Sequence, residues 1–246
     1  MWNEFFERVL AVEAPGGPAD RLSVIVPSIV RPGERFAVKL AALDVHGYPS
    51  VECDASVRPL PGPARGPGQV LVFQEGKPAV GRLADLCLPQ EGLSRLAFEM
   101  DGREFLSNPV RCDASASERI FWGDPHVHTV LSNCVVDRCR SIDFAHVCGR
   151  YVTGLDWISV ADHVSGGRSD RGKWKTQRAA AEAFNDPPCY VTLLGYEASL
   201  KGGLGGDNNV YFPGDAEAYV DVWDQGDLRD LSEGLADQDC LIVPHH

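Results

Sequence analysis

The chain of 246 residues has no apolar run of 18 or more, so no membrane-spanning helix is read from it. Its basic residues are in the minority: 23 Lys and Arg stand against 35 Asp and Glu, for a formal net charge of −12. That balance argues against a broad nucleic-acid or anionic-membrane surface, which would draw on an excess of Lys and Arg. It leaves room for a small anionic substrate, because bound cations supply positive charge locally. The eight cysteines, at 53, 87, 112, 134, 139, 148, 189 and 240, include no CxxC pair and no compact framework. Reduced thiols of a cytoplasmic protein are expected rather than disulfides. The N-terminus, Met1-Trp-Asn-Glu-Phe-Phe-Glu-Arg8, carries acids where a secretory signal has a basic segment followed by an apolar one. No Ser-His-Asp or Cys-His arrangement stands out, so covalent catalysis is not indicated. Gly202-Gly-Leu-Gly-Gly206 lacks the Lys-Ser/Thr of a phosphate-binding P-loop and reads as a flap beside a site. Lys201 next to it is either a solvated lysine or a contact for an anionic substrate.

What is present divides into two patterns. Residues 1–115 read as β: Leu22–Pro27 and Phe36–Ala41 are short strands, and Val70–Phe73 follows a Pro/Gly-rich loop. Leu96–Met100 and Arg103–Phe105 flank Asp101-Gly102, the dipeptide of a tight primed turn. Short strands with Pro/Gly punctuation suggest an Ig-like β-sandwich. A polar stretch, Cys112–Glu118, reads as a linker. After it strands alternate with helices. Ser141–Val152, Lys175–Phe184 and Leu228–Leu235 are helical, while Asp156–Ala161, Tyr190–Leu194 and Cys240–Val243 are strands. That order predicts parallel β/α units, in which ligands sit at the carboxyl ends of the strands. The expected domains are 1–115 and 119–246.

The chemistry-bearing residues fall where that rule puts them. Gly123-Asp-Pro-His-Val-His-Thr129 holds a His-x-His pair, and strand alternation sends His126 and His128 to one face. His163, Glu197 and His245 each follow a strand-like run closely. Neutral imidazoles suit zinc, iron and similar ions, and a carboxylate such as Glu197 can bridge two of them. Asp124 and Asp162 each neighbour a candidate ligand. They are read as orienting an imidazole through its other nitrogen, or else as a cap or turn acid. His246 is open between second ligand, substrate contact and bystander. His46 and His146 lie outside the pattern and are not expected to be ligands.

Assembled, these pieces resemble the PHP (polymerase and histidinol phosphatase) superfamily of metal-dependent phosphoesterases and related hydrolases. The matching segments are Gly123–Thr129, Gly154–His163, Gly195-Tyr-Glu197 and Ile242-Val-Pro-His-His246. Phe121-Trp-Gly-Asp124 and Asn209-Val-Tyr-Phe212 are similar to the subgroup called DUF3604 or CehA/McbA-like. The resemblance implies the first part of a seven-stranded, distorted β/α barrel after the β-sandwich. It implies two or three divalent ions (Zn, Mn or Fe) at the strand ends, with His126, His128, His163, Glu197 and His245 as ligands. Asp124, Asp162 and His246 are the candidates for further catalytic roles. Further His and Asp-x-His motifs lie later in the family, so the chain is expected to be the N-terminal portion of a longer enzyme. Where many members have another histidine, this sequence has Cys134, read as a zinc ligand or a structural thiol. Asp207-Asn208-Asn209 stands where the subgroup tends to show a histidine. The expected reaction is hydrolysis by a metal-activated water, on a phosphoester first and a carboxylic or carbamic ester second. The rival is a non-catalytic binding protein with a degenerate metal site. The expected partner is a small-molecule ester or phosphoester; neither nucleic acid nor membrane is expected, and oligomeric state is open.

Overall fold

In a computed structural model of the chain, residues 3–132, 140–163, 171–200, 206–216, 219–222 and 226–245 are described. Cys134, Lys201, Gly202–Gly205 and His246 lie outside the described residues. The fold is mixed and strand-rich, with several small sheets and no closed barrel among the described residues. It divides into two compact units: unit 1 is Met1–Phe121 with Val147–Gly154, and unit 2 is Trp122–His146 with Leu155–His246.

Unit 1 opens with a helix that the β reading of residues 1–115 did not include, α1 (Glu4–Glu13). Its signals are local: Asn3 caps it by accepting the Phe6 amide, and Glu4 and Glu7 sit in the first turn. Ten strands follow: β1 (Arg21–Ile25), β2 (Ile29–Val30), β3 (Phe36–Leu43), β4 (Ser56–Pro59), β5 (Leu71–Val72), β6 (Val80–Leu86), β7 (Gly92–Ser94), β8 (Ala97–Met100), β9 (Arg103–Leu106) and β10 (Val110–Cys112). They form sheets ordered β1-β3-β6, β2-β10-β7 and β5-β4-β8-β9. Alternation buries Leu22 and Val24 of the first sheet, which share one core with Val110 of the second and Phe98 of the third. The β8–β9 hairpin turns at Asp101 (φ 52°) and Gly102 (φ 75°), the two positive φ angles that Asp-Gly supplies.

Unit 2 is built from β11 (Gly123–Val127), α2 (Ile142–Val147), β12 (Trp157–Val160), α3 (Arg171–Phe184), β13 (Val191–Thr192), β14 (Leu194–Ser199), β15 (Asp207–Phe212), α4 (Leu228–Gly234) and β16 (Leu241–Pro244). The helix expected over Ser141–Val152 starts where predicted, with Ser141 Oγ accepting the Phe144 amide. It turns into a π-helical segment at Cys148–Val152, which is counted with unit 1. Strands β11, β12 and β13 pair in parallel, as the β/α pattern predicts. The next step departs from it: β14, β15 and β16 pair antiparallel. Only residues 200–206 separate β14 from β15, and a parallel crossover needs about a dozen residues or more. Two reversals leave β16 running the same way as β14. A parallel bridge between His163 and Glu197 joins the two sheets at one end.

Behind the sheet, Trp174 of α3 packs edge-on against Tyr196 and Phe212, with Leu231 of α4 in the same core. Gln177 of α3 is fully buried, and its Nε2 donates to the carbonyls of Val160 and Gly195 at 3.1 and 3.0 Å. This one amide ties β12 to β14, so Gln177→Leu should lower unfolding stability by about 2–4 kcal/mol, since each buried polar group left unpaired costs roughly 1–3 kcal/mol. The check is urea denaturation. A lower midpoint with an unchanged slope is expected, and an unchanged midpoint would show that the clip contributes nothing.

Candidate metal centre

Two glycines of the sequence motifs are required by close approach around the site. A Cβ on Gly123 would sit 2.1 Å from the Trp157 ring, and one on Gly195 would sit 2.7 Å from Ser159 Oγ and 2.9 Å from Tyr211. Both positions let neighbouring strands close up beneath the site. The register of β11 against β12 shifts between Asp124 and Val127. Such bulges re-aim side chains beside functional sites. Here His126 in β11 and His128 just beyond it face the same centre.

That centre is Glu197, which is 1% exposed. Its Oε2 lies 2.8 Å from His128 Nε2, 3.0 Å from His163 Nε2 and 3.3 Å from His126 Nε2. Its Oε1 lies 3.6 Å from His245 Nε2. Four histidines in or just beyond β11, β12 and β16, separated by up to about half the chain, thus converge on one carboxylate inside β14. They form two donor groups that share Glu197: His126, Glu197 and His245, and His128, His163 and Glu197. All five residues expected from the motifs are in these groups, while His46 and His146 are in neither.

The donor chemistry fits a cation. Glu197 Oε2 is buried and has three imidazole nitrogens within 3.3 Å. The Nε2 atoms of His126 and His128 are 2.7 Å apart, too close for both to carry a proton. Burial pushes the His126 and His163 imidazoles below the ordinary histidine pKa, and neighbouring rings add to this while Glu197 opposes it. Burial alone would raise the Glu197 carboxyl, but the imidazoles of His128, His163 and His126 outweigh it and hold the pKa below its usual range. Neutral rings around an ionised carboxylate are the protonation state that a His/Glu metal site needs.

The acidic neighbours do something other than hold an imidazole. Asp162 is fully buried, and its two oxygens accept the Thr129 amide and hydroxyl, both at 2.6 Å. It pins the loop that follows His128. Asp124 is exposed and accepts the His126 amide at 3.0 Å, which steadies the backbone of the His-x-His turn. The groups that do touch the rings went unnoticed in the sequence. Ser132 Oγ lies 3.2 Å from His128 Nδ1, Ser199 Oγ lies 3.1 Å from His163 Nδ1, and Asn209 Nδ2 lies 3.3 Å from His126 Nδ1. Strand period offered a signal for Ser199, two residues beyond Glu197 on one face. Asn209 stands directly across from Glu197 in the β14–β15 register. No protein-family model matches the chain, and no curated protein is significantly similar to it.

Proposed function

We propose that the chain carries the metal centre of a PHP-type hydrolase, one that uses a metal-activated water on a phosphoester. The observation that carries the reading is the convergence of four separate sequence motifs on Glu197. On this reading unit 1 is an Ig-like β-sandwich. Unit 2 is the first part of a distorted β/α barrel, with β11, β12, β14 and β16 delivering their donors at one end. A bound divalent ion supplies a water acidic enough to be hydroxide near neutral pH and a clamp for oxygen that accumulates charge.

The protein's own groups prepare the site. Glu197 and the four imidazoles offer nitrogen and oxygen donors of the kind that zinc, manganese and iron accept. With neutral rings the five donors carry a single negative charge, so one divalent cation would make this donor set net positive and suited to an anionic phosphoester, although Asp162 and Asp207 also act on His163. Asp162, by holding Thr129, keeps His128 on the inner face.

Elemental analysis of protein purified without a tag tests the reading. At least one equivalent of a transition metal is expected in the wild type, and the His126→Ala/His128→Ala double variant should lose it. Wild-type protein with well under one equivalent after exposure to zinc and manganese would remove the central claim. A panel of phosphomonoesters, phosphodiesters, carboxylic esters and carbamates, assayed with added metal, then separates the substrate classes. Metal without turnover on any of them would favour a binding role.

A further inference from the structure

The connection from β4 to β5 is rich in proline and glycine, Pro61-Gly-Pro-Ala-Arg-Gly-Pro-Gly68. Pro61, Pro63 and Pro67 have no amide proton, so this stretch cannot pair along its length with a neighbouring strand. It is pinned at one point instead. Arg65 and Cys87 exchange both backbone hydrogen bonds, each at 2.8 Å. Beside that pin the loop arches over β6 and β8, and a cavity of about 540 Å³ lies beneath it.

Small-molecule sites are concave spaces of roughly 300–1,000 Å³ with apolar walls and a few placed polar groups. This cavity has that make-up. Leu83, Leu86, Leu96 and Phe98 line it and belong to the core of unit 1, so its floor is fixed. Proline stiffens its roof, so little freedom is lost when a ligand fills the space.

The polar side chains of the lining, among the described residues, are Arg65 and Gln69, with no acid beside them. Arg65 Nη1 donates to the carbonyls of Gly62 and Ala64 at 2.9 and 3.1 Å. Those bonds tie the guanidinium to the loop. They leave Nε and Nη2 with no partner among the described residues. That edge of the planar fork holds a carboxylate by two parallel bonds, and Arg178 uses the same two nitrogens on Asp215. In a chain of net charge −12, an unopposed guanidinium over an apolar cavity selects an anion with an apolar body.

We propose that unit 1 carries a binding site for a small amphipathic carboxylate under the loop that holds Arg65. The apolar body of the ligand fills the cavity against Leu83, Leu86 and Phe98. Its carboxylate takes the Nε/Nη2 edge of Arg65. The metal centre has no part in this site.

The test is isothermal titration calorimetry of the full chain with octanoate and with octan-1-ol, which shares the apolar body and lacks the charge. Octanoate should bind one to one with a Kd of about 0.1 mM. It should bind about 10-fold more tightly than the alcohol, the least that a hydrogen bond to a charged group contributes. Arg65→Gln should erase that preference and leave the alcohol's affinity as it is. Loss of both ligands in Arg65→Gln would mean that Arg65 only shapes the loop, and would overturn its role as the carboxylate's partner. Ala84→Phe, on the cavity lining, fills the space and should abolish binding of both. If that variant does not fold, backbone amide NMR of the wild type locates the ligand, and octanoate should shift Leu83, Leu96 and Gln69. The proposal falls if octanoate shows no saturable binding up to about 10 mM, or if the two ligands bind equally well. It also falls if octanoate binding survives Ala84→Phe or shifts only residues away from the cavity.

Discussion

Metal-loaded protein should melt roughly 5–10 °C above protein stripped by a chelator, and Glu197→Gln should abolish the difference. A ligand that binds only the folded state, present at 100 times its Kd, stabilises by about 2.7 kcal/mol. For a chain of this size each kcal/mol moves the melting temperature by about 2–4 °C. Glu197 is the residue on which this depends most, because both donor groups share it and it is their only charged member. The amide introduced by Glu197→Gln would keep the shape and lose the charge in a buried setting. Removing one partner from a buried charge pair costs about 3–5 kcal/mol, which is roughly two to three and a half orders of magnitude in affinity. His245→Ala should be milder, since His128, His163 and Glu197 remain together as a group. The measurement is a set of melts with zinc, with manganese and with chelator. A Glu197→Gln protein that kept a full metal-dependent shift would mean that the ions bind elsewhere.

The donors were legible in the sequence for a simple reason. Their chemistry is carried by residue type, and their placement follows from strand ends and a period of two. His126 and His128 needed only alternation, and His163, Glu197 and His245 needed only the rule that ligands gather at one end of a sheet. Asp101-Gly102 was legible because its turn is set by the φ angles of two adjacent residues. What was hidden is either non-local or outvoted by its surroundings. Ser132, Ser199 and Asn209 are ordinary residues in sequence and acquire meaning only when the fold brings them against ring nitrogens. The antiparallel β15 was obscured by the β/α rhythm on both sides, although the short connection before it already ruled out a parallel crossover. Helix α1 had a cap and first-turn acids, but lay before a run of strands that set the reading for the whole region. Asp162 sits beside a ligand, so adjacency suggested an imidazole partner; the fold gives its oxygens to Thr129 instead.

Acid should unfold the protein partly through a histidine that has no part in the site. His146 of α2 is 2% exposed. Its ring stacks on Phe184, with centroids 4.7 Å apart and planes at 14°, and meets Tyr190 edge-on. Its Nδ1 is buried with no hydrogen-bond partner among the described residues. A proton there would place a charge among aromatic rings, and burial pushes the pKa down from 6.5 to about 4. Between those values the unfolded chain binds a proton that the folded chain refuses. Stability from this residue is therefore fully present above about pH 6.5 and is lost as pH falls toward 4, with no further loss below. A shift of this size corresponds to about 3 kcal/mol. His126 and His163 are also depressed and lose stability in the same direction, so the raw pH profile of the wild type mixes several rings. His146→Leu separates them: it removes one titration, fills the same apolar pocket, and leaves the metal centre untouched. Urea unfolding of both proteins from pH 7 to 4 should show the wild type losing about 3 kcal/mol more than the variant. A difference between the two that stays constant across this range would mean that His146 titrates alike in the folded and unfolded chains, and that its burial is not what makes the protein sensitive to acid.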